Sequence, residues 1–258
     1  MFNFLFQIPD ARLFLILSLF FMTLSVIGVL LVRNFARIEV RYKDNPVLGN
    51  VAAIIGIIYG VLTGLTALYL INNISYTADA VQREANSVAN IYRDSQWLDN
   101  PAKTQLKEQI QRYLTHVITV EWPLMKKGKK LSEEGETIIN SMASEVNGYL
   151  RTHPSDMLVM HDILDEVKTL YNAREQRIHM SFSSLNAEVW VVILIGTLLT
   201  ISINYLFKMK LKLHIISICA ASLMASSMVF LLLTLDRPFQ GEFVIEPTAL
   251  EYVLSSVH

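Results

Sequence analysis

The sequence predicts an all-α fold: a membrane protein with four transmembrane helices and an extramembrane helical bundle inserted between the second and the third. Four apolar segments carry no Asp, Glu, Lys or Arg, and each approaches or exceeds the roughly 20 residues that a helix needs to cross a hydrocarbon core. They are residues 13–32, 47–72, 189–207 and 213–235. Between the second and third segments, residues 73–185 have ordinary charge content and apolar residues at helical spacing.

The first helix pair takes up residues 1–72. Its first segment is interpreted as a retained helix, because a signal peptide has a positively charged start and a short apolar core. Here the chain starts with apolar Met1-Phe2, and the apolar segment is longer than a signal core.

The second segment carries three glycines at four-residue spacing, Gly56, Gly60 and Gly64, with Thr63 beside them. Small residues at this spacing let another backbone approach closely, which favours helix packing within or between subunits. The same face is also suited to border a permeation path. No ionisable residue lies deep in any segment, which argues against a pump but not against a pore with an apolar constriction.

The extramembrane region, residues 73–185, is predicted to be helical throughout. The second membrane helix is expected to continue outward, since apolar residues recur from Ile74 to Tyr92. Further apolar stripes run over residues 106–118, 131–149 and 158–178. No alternating, β-branched run competes with these helices.

Two short strings of residues stand out. The simpler interpretation of both is structural: they end helices or turn the chain. In the first, Pro123 is expected to end a helix, which leaves Trp122 to wedge between helices and Glu121 to find a basic partner. The second string, residues 235–241, follows the fourth segment. Asp236 is expected to lie just outside the membrane, and Pro238 is expected to end the helix. Phe239 follows, and Gly241 allows a turn.

The second helix pair takes up residues 186–236, and residues 237–258 form a C-terminal tail. The loops within the two helix pairs are short and basic, and short basic loops are typical of the cytoplasmic side. Their basic residues are Arg33, Arg37, Arg41 and Lys43 in the first loop, and Lys208, Lys210 and Lys212 in the second. The middle domain and both termini are therefore predicted to be extracytoplasmic.

Several functions lack support in the sequence. The net charge of −1 gives no basic excess for nucleic acid. The histidines form no zinc-binding pair, and no nucleophile elbow, phosphate-binding loop or dinucleotide fingerprint is present. We therefore predict no catalytic residue, no metal and no cofactor. The single cysteine, Cys219, excludes an internal disulfide.

The chain resembles the bestrophin-like domain family of bacterial membrane proteins. The residues that carry the resemblance run along the whole chain: Asn50, Gly56-Ile57-Ile58-Tyr59, Glu84-Ala85, Tyr92-Arg93, Tyr113, Glu121-Trp122-Pro123, Ala173-Arg174, Arg177, Trp190, Gly196, Leu235-Asp236, Pro238-Phe239, Gly241 and Pro247. The resemblance implies kinship with bestrophins, pentameric anion channels whose second helix lines an apolar neck. It also implies a cytosolic middle region, the opposite of what the basic loops predict.

Two functional hypotheses remain open. The first is a homo-oligomeric anion channel of the bacterial inner membrane, pentameric if truly bestrophin-like, with the lipid bilayer and small inorganic ions as partners. The second is a membrane-anchored sensor or scaffold whose helical bundle binds a ligand or a partner protein. In either case, salt-bridge or gating roles are expected for charged residues, and structural roles for motif residues. The charged residues are Glu121, Arg174, Arg177 and Asp236; the motif residues are Trp122, Pro123, Trp190, Pro238, Phe239 and Gly241.

Overall fold

The computed structural model describes residues 8–35, 41–241 and 244–257, and over these residues the chain forms helices and turns with no strand. The predicted all-α fold is confirmed. The α-helices are α1 (Asp10–Phe35), α2 (Asn45–Ser95), α3 (Ala102–His116), α4 (Trp122–Lys126), α5 (Glu134–Thr152), α6 (Met157–Phe182), α7 (Ala187–Ser202), α8 (Leu211–Leu235) and α9 (Thr248–Ser256). Short 3-10 turns lie at Tyr42–Asp44, Pro154–Asp156 and Ile203–Leu206, and a π-helical segment at Val117–Glu121.

Four stretches are long and apolar enough to cross a membrane: Asp10–Phe35, Tyr42–Ser95, Ala187–Leu206 and Leu211–Leu235. The predicted continuation of the second membrane helix beyond its apolar segment is confirmed, since α2 is a single helix of 51 residues. Arg37, one of the basic residues of the first loop, lies outside the described residues.

The chain divides into two compact units. Unit 1 consists of Met1–Asn72 and Ser184–Arg237, and unit 2 of Asn73–Ser183 and Pro238–His258. We expected residues 237–258 to form a tail of their own. Instead, residues 238–258 belong to unit 2, because Phe239, Leu250 and Val253 are buried in its apolar core.

Unit 1 is held together by apolar packing and by serine pairs between α1 and α8. Ser18 and Ser226 share a hydrogen bond of 3.2 Å, and the Ser222 hydroxyl donates to Ser25 at 2.6 Å. Small residues at such positions let membrane helices approach closely, and each hydrogen bond between helices contributes about 0.6 kcal/mol.

The two short loops of unit 1 are joined to each other. The Asn45 side chain donates to the carbonyl of Lys208 at 2.9 Å and accepts from its N–H at 3.0 Å. The basic residues that the structure describes in these loops therefore lie at one end of unit 1.

Unit 2 is a helical bundle in which α5 packs against α3 and α6, and α9 packs against α3. The expectation that Pro123 ends a helix is wrong, because α4 continues from Trp122 to Lys126 with Pro123 in its first turn. Pro123 has no N–H to donate, and it comes just after the π-helical segment, where the backbone hydrogen bonds already depart from the regular α-helical pattern. The chain turns at Gly128, whose φ of 62° suits glycine.

Candidate functional site

The glycine face of α2 is open within the chain. A Cβ atom added at Gly56, Gly60 or Gly64 would meet no atom within 4 Å. With Tyr59 and Thr63, these glycines line one side of a groove of about 340 Å³ in unit 1. The opposite side is formed by Thr200 of α7 and by Ala221, Met224, Ala225 and Met228 of α8.

The hydroxyl groups beside this groove are already paired. Thr63 is buried and donates to the Tyr59 carbonyl at 2.8 Å. The Tyr59 hydroxyl and the Thr197 hydroxyl share a hydrogen bond of 2.8 Å. Gly196 makes this contact possible, because a Cβ there would lie 2.6 Å from the Tyr59 ring. The groove is therefore an apolar surface rather than a row of free hydroxyls.

Unit 2 contains a buried ion-pair cluster centred on Arg177, which has no exposed side-chain surface. Its Nε and Nη2 donate to the Glu84 carboxylate at 2.6 and 2.9 Å, and Nη2 also donates to Glu121 at 2.7 Å. The guanidinium carbon lies 5.1 Å from the centre of the Trp122 ring, a cation–π distance. Tyr113 completes the site by donating to Glu84 at 2.7 Å.

A second arginine holds the same Glu121. Arg174 Nε and Nη2 donate to Glu121 Oε1 at 3.1 and 2.7 Å. Gly135 faces this pair, and a Cβ at that position would contact the Glu121 carboxylate and lie 2.8 Å from Arg174 Nε. The first turn of α5 can approach the cluster only because residue 135 is glycine.

The charges of the cluster balance, with two carboxylates against two guanidinium groups. Burial opposes ionisation of Glu121, but the charges of Arg177 and Arg174 outweigh it and lower the pKa of this carboxyl group. Burial likewise opposes the charge on Arg177, yet Glu84 and Glu121 raise the pKa of its guanidinium group. The pKa of the Tyr113 phenol is raised well above its ordinary value, first by burial and then by the charge of Glu84.

Trp122 fills the space between this cluster and the C-terminal segment. Its ring packs edge-on against Phe239, with ring centres 5.5 Å apart, and its Nε1–H donates to the carbonyl of Ile245 at 3.1 Å. Pro238 begins this segment, where its carbonyl accepts from Ile245 N–H at 3.0 Å. The φ of 97° at Gly241 lies in the left-handed region that favours glycine.

Asp236 and Trp190 belong to unit 1. Asp236 follows the last residue of α8, and its Oδ1 accepts from the backbone N–H of Leu185 at 2.6 Å. Burial raises the pKa of this carboxyl group, against the Leu185 hydrogen bond, which lowers it. Of the four charged residues that the sequence assigns salt-bridge or gating roles, the structure brings together Glu121, Arg174 and Arg177. Asp236 contacts Leu185 instead.

Glu84 and Tyr113 were not among the predicted site residues, although both carry the family resemblance. A signal for Glu84 is present in the sequence, since a carboxylate stands on the apolar stripe of α2 formed by Val81, Ala85 and Val88. A buried charge needs a partner of opposite charge. Tyr113 gave no such signal, because a tyrosine on an apolar helix face is an ordinary core residue.

The described geometry contains no arrangement suited to metal chemistry: over residues 8–35, 41–241 and 244–257, no group of three or more His, Cys, Asp or Glu is placed to hold a metal ion. The donors and acceptors of the cluster are used on one another. Its arrangement is suited to hold helices α2, α3 and α6 and the π-helical segment in one register.

These features define an all-helical membrane protein with four apolar helices long enough to span a bilayer and a buried ion-pair cluster in a helical bundle. The Bestrophin-like domain matches residues 19–250, and the chain belongs to this family. Among curated proteins, none matches this sequence.

Solved structures share the fold over nearly the whole chain. A bacterial bestrophin homologue from Klebsiella pneumoniae has a TM-score of 0.70 and 10% identity, covering 94% of this chain and 96% of its own. A variant of that homologue with a leucine-to-threonine mutation gives a TM-score of 0.68 at 10% identity, with 95% and 97% covered. A structure described as a membrane protein with a glycine-to-alanine change gives a TM-score of 0.71 at 11% identity, with 94% and 96% covered.

Proposed function

We propose that this protein is a homo-oligomeric anion channel of the bacterial inner membrane in which α2 lines the conduction path. The observation that carries the proposal is the uncovered face of α2. Its three glycines have no neighbour within 4 Å of a Cβ position, and the adjacent Ile57, Val61 and Leu65 are 58–67% exposed. A membrane helix that buries so little within its own chain has surface left for sister subunits, lipid or a path.

A symmetric ring is a natural way to build a pore from subunits of only four membrane helices. The resemblance to bestrophins favours five subunits with the second helix toward the axis. The paired hydroxyls of Thr63 and Tyr59 leave an apolar lining, which is suited to a constriction that gates by dewetting.

Anions are favoured over cations by the distribution of charge. Cation channels commonly carry rings of Asp or Glu, and the four apolar segments contain neither. The two short loops, joined through Asn45 and Lys208, place basic residues at one end of unit 1. A ring of subunits would repeat this basic end around the axis.

Chloride flux into liposomes tests the proposal, with Gly60→Leu as the decisive variant. A Cβ at residue 60 meets nothing within the chain, so the variant should fold and insert, and we expect loss of the wild-type flux because leucine narrows the path. The matched control is Gly148→Leu, at an exposed glycine of α5 with no neighbour within 4 Å. Wild-type flux in an inserted Gly60→Leu protein would contradict this placement, and potassium flux in place of chloride flux would contradict the selectivity.

We propose further that the two short loops face the cytoplasm and that unit 2 and the termini face outward. The basic residues of the loops support this sidedness, and the resemblance to bestrophins favours the reverse. Labelling of cysteine variants in intact cells distinguishes the two. A single cysteine at the exposed Leu158 should react with an impermeant reagent, whereas protection until the cells are opened would contradict the proposed sidedness.

A sensor or scaffold is the second candidate function, favoured by a cavity of about 530 Å³ in unit 2. Its walls combine apolar Leu131, Ile178 and Phe182 with charged residues that include Arg174 of the cluster. A monomeric or dimeric protein without ion flux, whose bundle is stabilised by a small molecule, would favour this function over the channel.

A further inference from the structure

His116 is a buried imidazole held between two carboxylates. It is the last residue of α3, is only 7% exposed, and its Nε2 has no hydrogen-bond partner. Nε2 lies 3.8 Å from Glu121 Oε1, and Nδ1 lies 3.5 Å from Glu134 Oε2. A neutral imidazole donates through one nitrogen and presents a lone pair on the other. In its neutral form, His116 therefore always turns a lone pair toward one of the two carboxylates.

The π-helical segment is what brings His116 to Glu121. Residues five apart in an α-helix stand about 140° apart around the axis, since there are 3.6 residues per turn. In a π-helix the backbone bond joins residues five apart, and here Trp122 N–H donates to the Val117 carbonyl. This wider winding turns Glu121 back under His116 while leaving it in reach of Arg174 and Arg177.

We propose that His116 is a proton-operated switch of unit 2. A protonated imidazole donates from both nitrogens, so it can pair with Glu121 and Glu134 together. Glu121 Oε1 already accepts two N–H groups of Arg174. Protonation therefore makes His116 compete with Arg174 for Glu121 and draws Glu134, in the first turn of α5, toward the π-helical segment.

The charged groups around His116 come from α3, the π-helical segment, α5 and α6. Glu121 faces it from the π-helical segment and Glu134 from α5, and both favour the protonated form. Arg112, one turn earlier on α3, pairs with Glu134 at 3.2 Å, and Arg174 approaches from α6 through Glu121. Both arginines disfavour added positive charge. Because charges of both signs lie close to the ring, a proton gained or lost by His116 changes the electrostatic interactions of both arginines.

Fluorine NMR of the full chain labelled with 5-fluorotryptophan tests the switch without any measurement of ion flux. Trp122 reports on the cluster through Arg177, whereas the other two tryptophans serve as references. Between pH 8 and 5, where histidine ordinarily changes charge, we expect one transition in the Trp122 resonance. His116→Gln should abolish it, and His161→Gln, at an exposed histidine of α6, should leave it unchanged.

Glu134→Gln provides a second measurement if His116→Gln fails to fold. Glu134 is half exposed, so its loss should be tolerated. Removal of an opposite charge disfavours the protonated imidazole, and the transition in the Trp122 resonance should move to lower pH. The switch would be overturned by a wild-type Trp122 resonance that does not respond to pH. It would also be overturned by a transition that survives His116→Gln, or by one that stays in place in Glu134→Gln.

Discussion

Arg177 donates hydrogen bonds to two carboxylates at once, from a fully buried position and with its guanidinium plane near the Trp122 ring. A lysine ammonium keeps the charge but not the planar fork that meets Glu84 through two nitrogens. The chemistry of this residue is therefore tied to its shape as much as to its charge.

We expect Arg177→Lys to lower the stability of unit 2 by about 1.5–3 kcal/mol, the range for a lost hydrogen bond to a charged group. The thermal unfolding midpoint of the protein in detergent measures the effect. Arg112→Lys is the matched control, because Arg112 pairs with Glu134 at an exposed site, where a salt bridge contributes about 0–1 kcal/mol. Equal midpoints for the two variants would show that the buried fork has no special role.

Glu121 makes the stability of unit 2 sensitive to acid. Its pKa is lowered in the folded state, so the unfolded chain binds more protons in this range. The stabilisation is present above the unfolded-state pKa of about 4.3 and is lost as the pH falls through the lower folded-state value. We expect the thermal midpoint to fall with pH below about 4.3, and less steeply in Glu121→Gln than in the exposed control Glu108→Gln. Parallel pH profiles for the two variants would contradict this account.

At the scale of elements, the approach of α5 to the cluster depends on Gly135. A Cβ there would contact Glu121 and Arg174, whose ends are fixed by their ion pair. We expect Gly135→Ala to destabilise the protein by about 1–3 kcal/mol, as overpacking does.

Gly148 of α5 supplies a control of opposite sign. A Cβ there meets nothing within 4 Å, so Gly148→Ala should stabilise the helix by about 0.5–1 kcal/mol. Thermal midpoints that move in the same direction for the two variants would contradict the packing described for Gly135.

The elements also show what periodicity can and cannot predict. The apolar spacing from Ile74 to Tyr92 predicts that α2 continues past the membrane, because one face of a helix repeats every three or four residues. Periodicity says nothing about a π-helical segment, so Pro123 suggested an end where the chain continues as α4. The docking of residues 238–258 in unit 2 was missed for a similar reason, since long-range contacts of Phe239 and Leu250 leave no local pattern.

The sequence predicts a site residue where a charged side chain stands in an otherwise apolar stretch of helix. A string such as Glu121-Trp122-Pro123 marks a position of unusual chemistry, but which arginines reach Glu121 depends on how α6 packs. Asp236 was grouped with them on charge alone, and the structure places it in the other unit, against the Leu185 N–H. Charge predicts that a partner exists, and only the packing of helices selects it.

At the scale of the whole molecule, the open glycine face of α2 favours assembly of several subunits into an oligomer. The four apolar helices bury little of their surface within one chain, and an isolated subunit would leave most of it uncovered. A closed ring of subunits would cover part of these exposed faces and create a central axis. Membership of the Bestrophin-like family accords with a ring of subunits, and five is the number in the proposed channel.

Native mass spectrometry of the protein released from lipid nanodiscs tests this claim most directly. We expect a single species whose mass is five times that of the 29.3 kDa chain, with its bound lipid. Any closed ring of four or more subunits would keep the central path, with only the subunit number revised. A monomer or dimer as the sole species would remove the axis, and the channel proposal with it.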